Sequence, residues 1–193
     1  MSKLLNVSSY PHVRCGVSTK NLMYDVAIAM LPATIWGVMQ FGIYSLIVVV
    51  ATVLSCVLSE YLFETLMHKP VTISDGSALV TGMILGLNMP PAIPLWMPIL
   101  GGVFAIIVVK QLYGGLGQNW MNPALAARCF MLISFAQAMT KFTDPVTDAV
   151  ASATPLAAIK AGDTYDLAAM FIGKIPGTIG EVSVIALLIG AAY

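Results

Sequence analysis

From Val26 to Ser59 the chain carries no Asp, Glu, Lys or Arg, and that stretch decides more about the fold than any other. A helix crosses the hydrocarbon of a bilayer in about 20 apolar residues, so the run is too long for one crossing. Inside lipid the backbone must satisfy its own hydrogen bonds, which leaves helices or a closed barrel. Gln40, Phe41 and Gly42 supply a break. The run therefore reads as two helices joined by a tight turn, 22–39 and 44–63. Pro32 is expected to kink the first, at a cost that neighbouring helices absorb. Glu60 and Glu64 are expected to end the second at the membrane interface. Of the 193 residues 59% are hydrophobic and 9% charged, with mean hydropathy +0.89, against roughly 25% charged in a soluble domain. Nine basic residues balance nine acidic ones, so there is no cationic face for a phosphate backbone and nucleic-acid binding is excluded. The fold class is an all-α polytopic membrane protein.

Cys15, Cys56 and Cys129 stand far apart without a C-x-x-C pair, so they read as small buried hydrophobes rather than zinc or iron-sulfur ligands. The N-terminal 25 residues stay polar too long for a signal peptide, which leaves the first helix to direct insertion. Beyond the second helix the apolar segments shorten. Ser77 to Leu87 rises only about 18 Å before NMPPAIP stops it. Leu95 to Val109 ends at Lys110, QLYGGLGQNWMNP follows, and Ala124 to Met139 contains Arg128. Short segments interrupted by Gly and Pro point to broken helices around a binding site. The reading is one transmembrane domain over 1–193, a bundle of short and broken helices forming half of an inverted-repeat transporter-like fold. Crossings are expected at about 22–39, 44–63, 77–89, 94–110 and 124–139, with a long polar loop at 140–180 and the start of a truncated helix at 181–193.

Ala78, Gly82 and Gly86 recur every four residues, a small-residue face that suits close helix packing or a flat ligand. Asp75-Gly76-Ser77 followed by an apolar helix is faintly echoed by Glu181-Val182-Ser183, as inverted repeats would do. Counting basic residues by alternate loops places Lys3, Arg14, Lys20, Lys69, Lys110 and Arg128 on one side and Lys141, Lys160 and Lys174 on the other. The bias puts the N-terminus in the cytoplasm and the 140–180 loop outside it.

No Ser/His/Asp or H-E-x-x-H arrangement is present, and His68 beside Lys69 reads as interfacial. Arg128 must find a partner. It either snorkels to the surface or meets a carboxylate such as Asp75 or a bound anion. In DAVASATPL, Asp148 to Leu156, Pro155 disfavours helix at Thr154. That suits a helix N-cap at Thr154 or an accessible modification acceptor.

DAVASATPL resembles the flavinylation motif Asp-x-x-(Ser/Thr)-Gly-Ala-Thr, in which a flavin transferase joins FMN through its phosphate to the threonine. Asp148, Ala153 and Thr154 match, while Ala151 and Ser152 stand at the Ser/Thr and Gly positions. SSYPHVRCG, SDGSALVTGMILGLNMPP, KQLYGGLGQNWMNPALAARCFMLISF and DAVASATPL occur in the order seen in the D subunit of the Rnf electron-transport complex (the RnfD/NqrB family). That protein is related to the B subunit of the sodium-pumping NADH:quinone reductase. The short N-terminus favours the Rnf member, and family members are longer, with a second helical half.

The resemblance implies a multi-pass inner-membrane component of a ferredoxin:NAD oxidoreductase that couples electron transfer to Na⁺ or H⁺ translocation alongside the A, B, C, E and G subunits. It implies no self-contained catalytic site. Thr154 would carry covalent FMN in the extracytoplasmic loop, Asp148 would be the acid recognised by the transferase, and Ser152 and Ala153 would leave room for the cofactor. Riboflavin would bind noncovalently within the bundle, with Ser77 to Pro91 and Gly114 to Pro123 as candidate walls for it or for an ion path. The competing expectation is a solute transporter or channel without redox chemistry.

Overall fold

The computed structural model describes residues 16–143, 150–151, 160 and 167–193, and they form an all-α membrane protein. Helix α1 spans Thr19–Phe41 and α2 spans Ile43–Leu66; both are long and apolar enough to cross a membrane. Ser18 caps α1, its Oγ accepting from the Asn21 N–H at 3.3 Å. Gly42 alone makes the turn. Its φ of 81° lies where side chains are disfavoured, and its N–H closes α1 on the Val38 carbonyl at 2.9 Å. Pro32 is carried inside α1 without ending it.

The packing of α2 inverts that of a soluble helix. Ser45, Thr52, Ser55, Ser59, Glu60 and Glu64 are buried, whereas Leu54, Leu58 and Leu62 are more than half exposed. Aliphatic side chains face lipid at no cost, and small or polar ones do best against another helix. The hydroxyls of Thr52 and Ser55 bond back to the Val48 and Thr52 carbonyls at 2.7 and 2.8 Å.

A 3₁₀ turn, Ile73–Asp75, and left-handed Gly76 lead into α3, Ser77–Leu87. Its 11 residues rise about 16 Å, half the hydrocarbon thickness, and nine of them are buried. The stripe of small residues is a packing face. A Cβ on Gly82 would sit 2.6 Å from Val53 Cα, and one on Gly86 would sit 3.0 Å from Val49 Cα, both on α2. Ala78 packs with Cys56 and Ile106.

Helix α4, Trp96–Val103, passes directly into a π-helix, Phe104–Gln111, and α5 follows at Pro123–Ser134. Asn122 caps α5 by accepting from the N–H groups of Ala124 and Leu125, with Pro123 as its first residue. The run expected to be one helix to Met139 is split at Phe135, beyond which α6 is the short turn Ala136–Met139. Two-residue strands β1, Phe142–Thr143, and β2, Val150–Ala151, pair antiparallel, with Phe142 opposite Ala151 and Thr143 opposite Val150.

After α7, Leu167–Ile172, the chain returns to the end of α3. The N–H groups of Ile179 and Gly180 bond the Met89 and Leu87 carbonyls at 3.1 and 2.8 Å, satisfying acceptors that a helix ending inside a membrane would leave bare. Helix α8, Val184–Ala192, starts at its Ser183 cap. It lies antiparallel to α1: Ile179 touches Gly37 and Gly190 touches Ala29. Helix α3 runs parallel to α1, Gly76 lying against Met23 and Tyr24 and Ile84 clustering with Met30. The two echoed segments therefore enter oppositely directed short helices.

Gly82→Leu is expected to wedge α3 off α2 and to lower stability by about 1–3 kcal/mol or more, read as a lower melting temperature in detergent. Gly16→Ala, at a position with no atom within 4 Å of an added Cβ, is the control and should leave melting unchanged.

Candidate functional site

Glu60 and Glu64 stand one helical turn apart on the inward face of α2, where i and i+4 side chains neighbour one another. Both are buried, at 0% and 2% exposure, turned into the bundle near the end of α2 rather than out to solvent. Lys110, expected to mark a helix end, is 2% exposed. Its Nζ lies 2.5 Å from Glu60 Oε1 and 2.5 Å from Ser77 Oγ. Gln111 Nε2 donates to Glu60 Oε1 at 2.8 Å and to Glu64 Oε1 at 3.1 Å. Thr72 closes the outer end, its backbone N–H and its hydroxyl both donating to Glu64. At the inner end Ser77 donates to Asp75 Oδ1 through both its N–H and its hydroxyl.

Local structure makes this cluster possible. In the π-helix, Leu112 N–H reaches back five residues to the Ile107 carbonyl, and the adjacent residues Lys110 and Gln111 are both buried. Asp75 and Ser77 are brought in by the 3₁₀ turn and Gly76. One carboxylate, Glu60, thus pairs directly with the ammonium, while Glu64 and Asp75 join the network through Gln111 and Ser77, and Glu60 Oε2 is buried with no partner among the described residues. Low-dielectric surroundings penalise such a negative excess, which the hydrogen bonds from Lys110, Gln111, Thr72 and Ser77 offset.

Beside the network lies a cavity of about 310 Å³. Ser77, Thr81 and Ile84 of α3 form one wall, and Leu116, Asn119 and Asn122 form the other, with Lys110 between them. The two broken segments are thereby brought face to face. Gly114, Gly115 and Gly117 all take positive φ, which lets the connection fold tightly enough to make the second wall. Asn119 Nδ2 is spent on the Met121 carbonyl at 2.7 Å and Asn122 Oδ1 on its helix cap. Asn119 Oδ1 and Asn122 Nδ2 remain as a free acceptor and a free donor among the described residues. A larger cleft, about 480 Å³, runs outside between the π-helix and α5. Its walls, including Phe104, Val108, Trp120 and Leu125, are mostly apolar and carry no charge, so convergent polar chemistry belongs to the smaller cavity.

Arg128 is half-buried and its Nη1 donates to Asn88 Oδ1. Asn88 also bonds the Ile84 carbonyl at 2.7 Å, so Arg128 braces the end of α3, a whole helix length from Asp75. Because Lys110 and Arg128 are bundle residues, the basic loop count falls from six against three to four against three. Cys56 is buried but Cys129 is exposed on α5, lining the outer cleft, which corrects its reading as a core residue. His68 is exposed in the turn after α2. Asp148, Ser152, Ala153, Thr154, His12 and Cys15 lie outside the described residues. Among the described residues no group of three or more His, Cys, Asp or Glu is arranged to hold a metal. One signal in the sequence did mark the missed network: hydroxyl residues at 45, 52, 55 and 59 continue into Glu60 and Glu64 along a single face of α2.

Removing one partner of a buried ion pair strands the other charge, at a cost of roughly 3–5 kcal/mol. Lys110→Met is expected to lower the melting temperature in detergent markedly. Glu60→Gln/Lys110→Met, which removes both charges, should recover most of the loss; a double variant as unstable as Lys110→Met would contradict the pairing.

Residues 6–193 match the family model described as NQR2, RnfD, RnfE. The chain is 47% identical over 195 residues to the D subunit of the Na⁺-translocating ferredoxin:NAD⁺ oxidoreductase complex of Acetobacterium woodii, covering 98% of this chain and 61% of that protein. It is 40% identical over 204 residues to the D subunit of the proton-translocating ferredoxin:NAD⁺ oxidoreductase complex of Clostridium ljungdahlii, covering 98% and 62%. It is 31% identical over 215 residues to the D subunit of the ion-translocating oxidoreductase complex of Rhodobacter capsulatus, covering 93% and 60%. The chain spans about three fifths of the length of these relatives. With a matching model over nearly its whole length, the chain belongs to the NQR2, RnfD, RnfE family.

Proposed function

We propose that this chain is part of a flavin-carrying membrane component of an Rnf-type ferredoxin:NAD⁺ oxidoreductase. In this reading it relays electrons across the membrane and takes part in coupling them to Na⁺ or H⁺ translocation. The observation that carries the reading is the 310 Å³ cavity between the two broken segments, where uncommitted amide groups stand beside apolar side chains and a buried ammonium. An isoalloxazine ring is flat and largely apolar, with carbonyl oxygens and a ring N–H along one edge. Asn122 Nδ2 and Asn119 Oδ1 are the donor and acceptor such an edge requires, and Ile84 and Leu116 suit its faces. Riboflavin is the proposed noncovalent ligand.

The covalent cofactor is proposed as FMN, phosphoester-linked to Thr154 within the motif that Asp148, Ser152 and Ala153 complete. The flavin transferase would install it. When bound, flavin supplies the electron-carrying chemistry, and the chain supplies position and electrostatics. The A, B, C, E and G subunits of an Rnf complex are the proposed partners. The proposed topology is that of an inner-membrane protein with a cytoplasmic N-terminus and the Thr154 loop on the other side, supported by the remaining excess of basic residues in the loops on the N-terminal side. The buried Glu60–Glu64–Lys110 network is the proposed point at which a proton or monovalent cation meets the electron path, because it is both charged and adjacent to the cavity.

Full-length protein made with a competent flavin transferase should give a fluorescent band that survives denaturing electrophoresis, and Thr154→Ala should abolish it. Denaturing the Thr154→Ala protein should still release noncovalent flavin, and Asn119→Leu/Asn122→Leu should cut that release at least tenfold. Protein with neither form of flavin would overturn the reading and leave the solute transporter in its place.

A further inference from the structure

Lys110 is the one charged side chain lining the cavity among the described residues. It is held there from two sides: Glu60 Oε1 and Ser77 Oγ each lie 2.5 Å from its Nζ. An ammonium has three donors, so one remains uncommitted among the described residues. Glu64 is engaged by Gln111 and by the N–H and hydroxyl of Thr72, so Glu60 is the carboxylate that pairs with Lys110. Glu60 itself does not line the cavity. The pair is thus a dipole with its positive end at the ligand and its negative end behind.

We propose that Lys110 sets the reduction potential of the flavin bound in this cavity, and that Glu60 acts through it as a positioning residue that moderates the charge felt there. An electron delivered to the bound ring adds one negative charge, and a fixed ammonium beside it, itself buried, stabilises that charge. Glu60 opposes the effect from the next position along. The inference rests on the flavin reading above.

The test uses full-length Thr154→Ala protein in detergent, so that only noncovalent flavin is present, titrated with dithionite while the flavin absorbance is followed. Glu60→Gln, which keeps an acceptor for Lys110 but removes the opposing charge, should raise the midpoint potential. Glu60→Gln/Lys110→Met should then lower it relative to Glu60→Gln by at least tenfold in the equilibrium between oxidised and reduced flavin, about 59 mV for one electron. Glu60→Gln/Lys110→Arg, which keeps the cation, should stay close to Glu60→Gln. Equal potentials in the single and double variants, with flavin content unchanged, would overturn the inference and leave the flavin reading standing. If the double variant does not accumulate, an unmoved potential in Glu60→Gln alone overturns it. Thr154→Ala protein that releases no flavin on denaturation overturns the cavity reading, and this inference with it.

Discussion

The ion pair between Lys110 and Glu60 ties together the elements that matter most in this molecule. One partner comes from the long helix α2, the other from the π-helix, and Ser77 at the start of α3 shares the ammonium. A buried pair of this kind is weak as a source of stability, since desolvation offsets most of its attraction. Its consequence is geometric: three elements must meet at one point, with Gln111, Glu64 and Thr72 completing the hydrogen bonds outward.

Helix α3 can be short because of what surrounds it. Its start is fixed by Asp75 and Gly76 and its glycines bring it onto the α2 backbone. Its far end is capped by the returning chain at Ile179 and Gly180 and braced by Arg128 through Asn88. Those contacts satisfy a helix only about half as long as the hydrocarbon is thick. The unfilled half of its length, together with the glycine-rich connection before α5, leaves room for a polar cavity beside a buried charge. Structure and proposed chemistry thus share a cause.

Much of this was written locally in the chain. The charge-free run, the Gly42 turn, the short Ser77–Leu87 helix and the Asn122-Pro123 start of α5 each follow from length, a left-handed glycine or a cap. The packing role of Gly82 and Gly86 could be read as one of two meanings, and the backbone of α2 decides between them. What hydropathy could not show was that Glu60, Glu64 and Lys110, each near the end of its helix, are buried. Charges near the end of an apolar run look interfacial, and only the fold of the 3₁₀ turn and the π-helix over them makes them buried. The split at Phe135 and the amide partner of Arg128, 40 residues away, are tertiary outcomes with no local signature. Cys129 faces outward because the opposite face of α5, through Ala124, Ala127 and Met131, is the one that packs. The Thr154 motif is legible by resemblance, not by physics.

The central claim is that a flavin sits between the two broken segments, against Lys110. Photolabelling full-length protein with 8-azidoriboflavin, followed by peptide mass spectrometry, tests this most directly. Label is expected within 77–84 and 110–123, with unmodified riboflavin competing it away. Label confined to the outer cleft around Val108, Leu125 and Cys129, or label that riboflavin does not displace, would contradict it.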